Sequence, residues 1–422
     1  MRYWICTGCG GLKTILAAFG LCIAAGLFCV GGAVHADWPQ WMGPNLDGII
    51  AKADFNTEWA TKPPEQLWTQ EIGIGFSSVS IVGNRLYTMG NTSGTEAVYC
   101  FDALSGKEIW RHSYPCQLVA VLYEGGPGCT PTVDGDRVYV TGKEGQLKCL
   151  DCSTGNIIWE VNLQSELGVV LPEWGFNASP MISGDKLYVE VGRLACFEKS
   201  TGKLIWQTEK HNSGYGSVRQ MKFGDQELLV TLDCDGLRFN QLADGKQLAF
   251  EKWKSPFRTN STTPIIHKDM VFVSTGYNVG CGLFRLSKSD DGSIALNEVY
   301  ANREMRNHFN NSILLNGNVY GFDGNSNLGR VVQLKCIDHL TGELKWTQRG
   351  FGCGSLMVAG DNLLILSDDG RLALAKASPE KFELLGEVSI LNGRCWTVPV
   401  IQESRVYARN ARGKLVCFEL GK

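Results

Sequence analysis

The 422-residue chain carries a formal net charge of −3, fifty glycines against thirteen prolines, and no long run of basic residues. Such a mildly acidic surface excludes the phosphate backbone of nucleic acid as the main partner. Evenly spread Val, Tyr, Trp and Thr, with no long amphipathic helical pattern beyond the first 36 residues, exclude a helical fold and suit short strands joined by tight turns.

Residues 1–36 stand apart. Arg2 and Lys13 precede an apolar run from about Ile15 to Val34, and Val34-His35-Ala36 makes a small-residue cleavage site. The segment reads as a Sec-type signal peptide with Asp37 first in the mature chain; an uncleaved anchor is the alternative, because the run nears a membrane-spanning length. The expectation is an exported protein of the periplasm or cell envelope, monomeric and without a transmembrane helix in its mature form. Residues 37–64 read as an N-terminal wrapping segment and residues 65–422 as a single repeat domain.

From there the chain restates one unit. A two-residue hairpin turn followed by an alternating strand recurs at Gly83 (GNRLYT), Gly135, Gly184, Gly224, Lys268 (KDMVFV), Gly317, Gly360 and Glu403 (ESRVYA). Downstream of the first six comes a glycine turn and a strand ending in an aromatic residue, clearest at SGKEIW (Trp110), TGNIIW (Trp159), TGKLIW (Trp206) and TGELKW (Trp346), while the seventh is followed by the weaker FELLGEV stretch near Leu385. The eight anchors are spaced by about 46 residues, the length of a four-stranded propeller blade. The final unit, KLVCFEL, lacks an outer strand, whereas EQLWTQEI at residues 65–72 has a strand and no blade. The prediction is an all-β, eight-bladed β-propeller of four-stranded antiparallel blades, its ring closed by the N-terminal strand joining the last blade.

Four of the sixteen cysteines lie within the first 36 residues. Five of the remainder, Cys100, Cys149, Cys196, Cys336 and Cys417, share one register of the unit and read as a small apolar packing slot.

The [DE]xxTGxxxW unit resembles the repeat of PQQ-like propellers, a family that includes the BamB outer-membrane assembly factor and quinoprotein alcohol dehydrogenases. The phrases DWPQWMGPN, LPEWGFNASP, STGYNVGCGLFRL, REMRNHFNNS, RGFGCGSL and GRCWTVPV further resemble exported PQQ-like proteins of planctomycete-type bacteria. Cys129 and Cys353 depart from that group, standing where a basic residue is more usual. The fold these resemblances imply is specific and the activity is not, because the repeat residues are packing residues.

Two functions follow. A binding or scaffold protein at the cell envelope, holding an unknown envelope protein or a small polar ligand, needs no cofactor. The alternative is a PQQ-dependent oxidoreductase of alcohols or sugars, which would need calcium and a carboxylate base. Glu173 and Asn177 are the only weak metal candidates, and the sequence has no adjacent cysteine pair and no HExxH or GxSxG motif. Propeller topology places the loops entering the innermost strands on one face. Trp174, Asn177, Asn307, His308, Arg394 and Trp396 are therefore expected together at one channel mouth, where the indoles can line a ligand site or simply plug the channel. Cys281 and Cys395 are expected within reach of it, and can pair as a disulfide if their Cα atoms come within about 7 Å.

Overall fold

The computed structural model describes residues 37–289 and 293–421; the signal-peptide reading of residues 1–36 lies outside them. Eight antiparallel sheets form the blades of a propeller, seven of them from four consecutive strands. Blade 1 runs through Ser80–Val82, Arg85–Thr92, Thr95–Asp102 and Glu108–Pro115. Blades 2 to 7 follow with innermost strands Thr132–Asp134, Met181–Ser183, Arg219–Phe223, Ile265–His267, Ile313–Leu315 and Ser355–Ala359. Blade 8 takes Val400–Gln402, Arg405–Arg409 and Lys414–Glu419 from the C-terminus and its outer strand, Glu65–Glu71, from the N-terminus. Trp68 pairs with Cys417, so the ring closes through the strand that had no blade of its own.

The repeated residues explain the repeat. Within a blade, a tyrosine on the second strand, the slot cysteine on the third and the tryptophan on the fourth lie abreast, as in Tyr139, Cys149 and Trp159. All five slot cysteines are buried. Tyrosine and indole rings meet at the same tilt, 46–50°, in all five blades that carry the trio. The indole then lies over the turn glycine of the next blade: Trp68 on Gly106, Trp110 on Gly155, Trp159 on Gly202 and Trp206 on Gly245. A Cβ on Gly155 would stand 2.5 Å from Trp110, and the turn holds φ at +73°, so only glycine satisfies both demands. Trp68, Trp110 and Trp159 each donate their indole N–H to a carbonyl in that neighbouring turn, those of Ala103, Cys152 and Lys199.

At the channel, the blades are laced by hydroxyls and amides. The backbone N–H of Ser78 donates to Thr130, that of Thr130 to Ser179, Ser179 to Ser217, Ser217 to Thr263 and Thr263 to Asn311, at 2.9–3.2 Å. The Asn310 amide reaches the Gly354 carbonyl, Ser355 the Thr397 carbonyl and Ser78 the Val398 carbonyl. Every one of the eight blade junctions thus carries a buried hydrogen bond next to the axis.

The N-terminal segment crosses the channel at the ends of the innermost strands. Trp38 exchanges two backbone hydrogen bonds with Ile81, Pro39 accepts from Val133, and Ile49–Ile50 runs parallel to Val358 and Ala359 of blade 7. Trp38 itself is buried. Beyond it, Asn56 bonds the Gly421 carbonyl, and Trp59 is buried against Gly386.

Two glycines separate packing from backbone strain. Gly135 also holds a left-handed φ, +59°, but a Cβ there meets nothing within 4 Å. Gly135→Ala should cost about 1 kcal/mol, the left-handed penalty alone. Gly155→Ala, which must also displace the Trp110 indole, should cost about 3 kcal/mol. Urea unfolding measures both; equal losses would show that the indole does not depend on that glycine.

Candidate functional site

The face opposite the N-terminal segment is where each chain segment enters an innermost strand. Aromatic residues from these segments, together with Tyr277 from the loop between the second and third strands of blade 5, meet there in a series. Tyr215 packs edge-on against Trp174 at 5.7 Å. The Tyr123 hydroxyl donates to the Trp174 carbonyl at 3.1 Å, and its ring meets Phe76. Phe76 stacks on Trp396, Trp396 meets Phe309 at 4.5 Å, and Phe309 adjoins His308. His308 meets Tyr277, which packs against Phe257. Phe257 is exposed and the other rings are half-buried, so the series forms an aromatic collar at the mouth.

The polar members are held from within. Arg394 lies 4.3 Å over the Trp396 ring and donates to Glu124 at 2.7 Å, tying the segments that enter blades 8 and 2. His308 has both ring nitrogens engaged, Nε2 with the Tyr277 hydroxyl at 3.1 Å and Nδ1 accepting from the Ser326 N–H. Burial pushes its pKa down to about 4, so the imidazole is neutral and weakly basic. Beneath the collar, Lys143 and Glu96 are fully buried. Burial draws the Lys143 pKa down to about 7 against the pull of Glu96, and raises that of Glu96 to about 7 against its bond from Tyr114. The Lys143 ammonium sits over the Tyr123 ring and donates to Asn177 Oδ1 at 2.5 Å.

The structure separates the sequence-derived residues into two groups. Trp174, His308, Arg394 and Trp396 share the mouth, with Asn177 just below them. Asn307 does not join them. Its side chain is buried in blade 6, donating to the Phe322 carbonyl and accepting from Ser312, because an amide enclosed at a blade junction must find partners there. Cys281 and Cys395 are both free thiols, buried in different apolar clusters. As a metal ligand Asn177 does not fit, since its oxygen already accepts the hydrogen bond from Lys143 Nζ. Glu173 is exposed, and among the described residues no three His, Cys, Asp or Glu side chains converge. Phe76, Tyr123, Tyr215 and Phe309 were not anticipated. The signal was the linker between blades 1 and 2, long for a propeller and carrying Tyr123 in its middle.

A family model described as outer membrane protein assembly factor BamB matches residues 60–140 and 94–334. No curated protein matches the chain by sequence. Among solved structures, BamB from Moraxella catarrhalis superposes with a TM-score of 0.61 at 14% identity, covering 84% of this chain and 99% of its own. Quinohemoprotein alcohol dehydrogenase from Comamonas testosteroni gives 0.68 at 12% identity, covering 92% and 81%. A europium-containing methanol dehydrogenase gives 0.50 at 12% identity, covering 91% and 98%. At such identities the likeness to solved structures is one of fold. The family match spans more than half of the chain, which belongs to the BamB family of PQQ-like propellers.

The state of His308 has a thermodynamic consequence. A free imidazole takes up its proton near 6.5 and the folded one only near 4. Between these values the unfolded chain binds more protons, so stability is lost as pH falls through that window. His308→Gln should lose less stability than the parent between pH 6.5 and 4.5 in urea unfolding. Equal losses would mean that His308 is already able to protonate in the folded protein.

Proposed function

We propose that this member of the BamB family is a binding or scaffold protein of the cell envelope, exported by its N-terminal leader and acting as a monomer, with the aromatic collar as its contact face. The observation that carries the reading is the state of the mouth. Half-buried rings supply rigid contact area at little entropic cost, while the polar groups between them are already bonded within the protein. Such a surface recognises a polypeptide segment or a small polar ligand by shape and ring contact.

The competing reading, a PQQ-dependent oxidoreductase, draws support from the dehydrogenases that share the fold. It needs a basic group beside the quinone and oxygen ligands for a cation. His308 is too weakly basic for the first role, and Asn177 is turned onto Lys143. The residues present do not fit the quinone–metal pair, and no catalytic step is drawn through it.

Two measurements separate these readings. Titrating the purified protein with PQQ and either calcium or a lanthanide should leave the quinone absorbance unchanged and reduce no dye; stoichiometric uptake with metal-dependent turnover would favour the oxidoreductase. A photo-crosslinking residue in place of Phe257 should yield a discrete adduct in the native envelope, and one in place of Lys203, in a blade-edge turn on the other face, should not. Identical adducts from both positions, or none from Phe257, would remove the mouth as the contact face.

A further inference from the structure

At the other end of the channel lies a cavity of about 310 Å³. Its roof is the N-terminal segment, through Met42, Leu46, Asp47 and Ile49, and its walls are the innermost strands of blades 4, 5 and 6. The volume falls at the small end of the range that small-ligand pockets occupy, about 300–1,000 Å³. Apolar side chains, among them Leu46, Ile265 and Leu314, line about half of it, and His267, Asn311, Ser312 and Asn316 line the rest beside the two charged groups, Asp47 and Arg219.

One group in this wall is out of keeping with its surroundings. Arg219 opens the innermost strand of blade 4, and its buried Nε–H has no hydrogen-bond partner. Its guanidinium forms no ion pair among the described residues, although Asp47 is near enough to act on it through space. Burial draws the Arg219 pKa down to about 10, so the group stays cationic at neutral pH. Burial likewise raises that of Asp47, against the Ile49 N–H and the field of Arg219. The chain treats a structural arginine quite differently. Arg409, fully buried between blades 8 and 1, donates to the carbonyls of Gly73, Ser77, Met89 and Asn410. The Arg219 side chain is partly buried with its Nε–H enclosed; leaving that donor without an acceptor is costly, and an anion in the cavity would supply one.

We propose that this cavity is a binding site for a small organic monocarboxylate, its acid group pairing with Arg219 and its apolar body lying among Leu46, Ile265 and Leu314. A monoanion suits the site better than phosphate. Asp47 already shares the field of the one guanidinium, and a dianion would set too much negative charge against it. The apolar lining in turn calls for a hydrocarbon body that an inorganic anion lacks. The site is separate from the mouth and independent of what binds there.

Calorimetric titration of the full protein with acetate, hexanoate, hexanol and inorganic phosphate tests the assignment. Hexanoate should bind with a stoichiometry of one, more tightly than acetate, hexanol or phosphate. Arg219→Gln should weaken hexanoate at least about tenfold, the loss expected for a charge-assisted pair. Leu314→Trp, which fills the cavity and leaves Arg219 in place, should abolish binding while unfolding cooperatively. Absence of any hexanoate heat in the parent, a preference for phosphate, or equal hexanoate affinity in a folded Arg219→Gln protein would each overturn the proposal.

Discussion

The contact on which everything else rests is an indole laid over a neighbour's glycine. One blade cannot bury its own faces, so each must present something its successor can accept. The tryptophan at the end of an outer strand does this with a flat apolar ring and a single donor. The next blade answers with a turn that lacks a Cβ and offers a carbonyl. Trp110 meets Gly155 in the way that Trp159 meets Gly202, so blades 1 to 2 and 2 to 3 are joined by the same contact. The contact between Trp68 and Gly106 joins the series only because Trp68 belongs to the last blade. Strand exchange between the chain ends completes the last blade, so that its third strand, Lys414–Glu419, is paired on both sides.

Ring closure also decides where chemistry can reside. The girdle of Ser, Thr and Asn at the axis fixes the innermost strands, so the segments that lead into them are held at one end and free to vary elsewhere. These segments carry the collar. Trp396 touches Phe76 from the segment entering blade 1 and Phe309 from the segment entering blade 6, contacts between residues 320 and 87 positions apart that the rigid ring brings together. The opposite end follows a different rule. There the N-terminal segment adds backbone hydrogen bonds to strands of blades 1, 2 and 7 and spans the remaining width with side chains, which is how a cavity arises beside blades 4, 5 and 6.

The fold was legible because its determinants recur. Even the weakest anchors, Lys268 and Glu403, occupy the left-handed backbone region that glycine holds in the stronger copies, φ +57° and +55°. A mouth made of non-repeating residues was legible only in outline. Topology brought Trp174, His308, Arg394 and Trp396 to one face, yet it could not tell which way a side chain turns. Asn307 shows the difficulty: it sits beside His308 in sequence but points into blade 6. The hydroxyl girdle recurs in sequence as well, at SVS, TPT, ASP and TTP, but each bond runs to a different blade, and nothing local names the partner. The crossing of residues 38–50 rests on backbone hydrogen bonds, which leave no residue pattern to read.

Where the repeat is imperfect, the structure compensates by other means. At the junction of blades 3 and 4 the Trp206 indole still lies over Gly245, but its N–H and the Tyr188 hydroxyl are buried without acceptors, whereas their counterparts Trp159 and Tyr139 share the Lys199 carbonyl. Two unmet donors would weaken this junction relative to its neighbours. A buried ionic cluster stands at the same junction. His211 bonds Glu190 at 2.9 Å and adjoins Asp233, which in turn accepts from Arg238 at 2.7 Å. Burial opposes a charge on His211, yet Glu190 and then Asp233 hold its pKa above the usual value. Residues from the linker and from both blades thus share one network, binding together faces that the tryptophan motif leaves short of hydrogen bonds. Blade 4 also supplies Arg219 to the cavity at the far end. Blade 4, whose fourth strand carries Phe250 where blade 3 carries Trp206, is held to its neighbour by specific charges as well as by the shared motif.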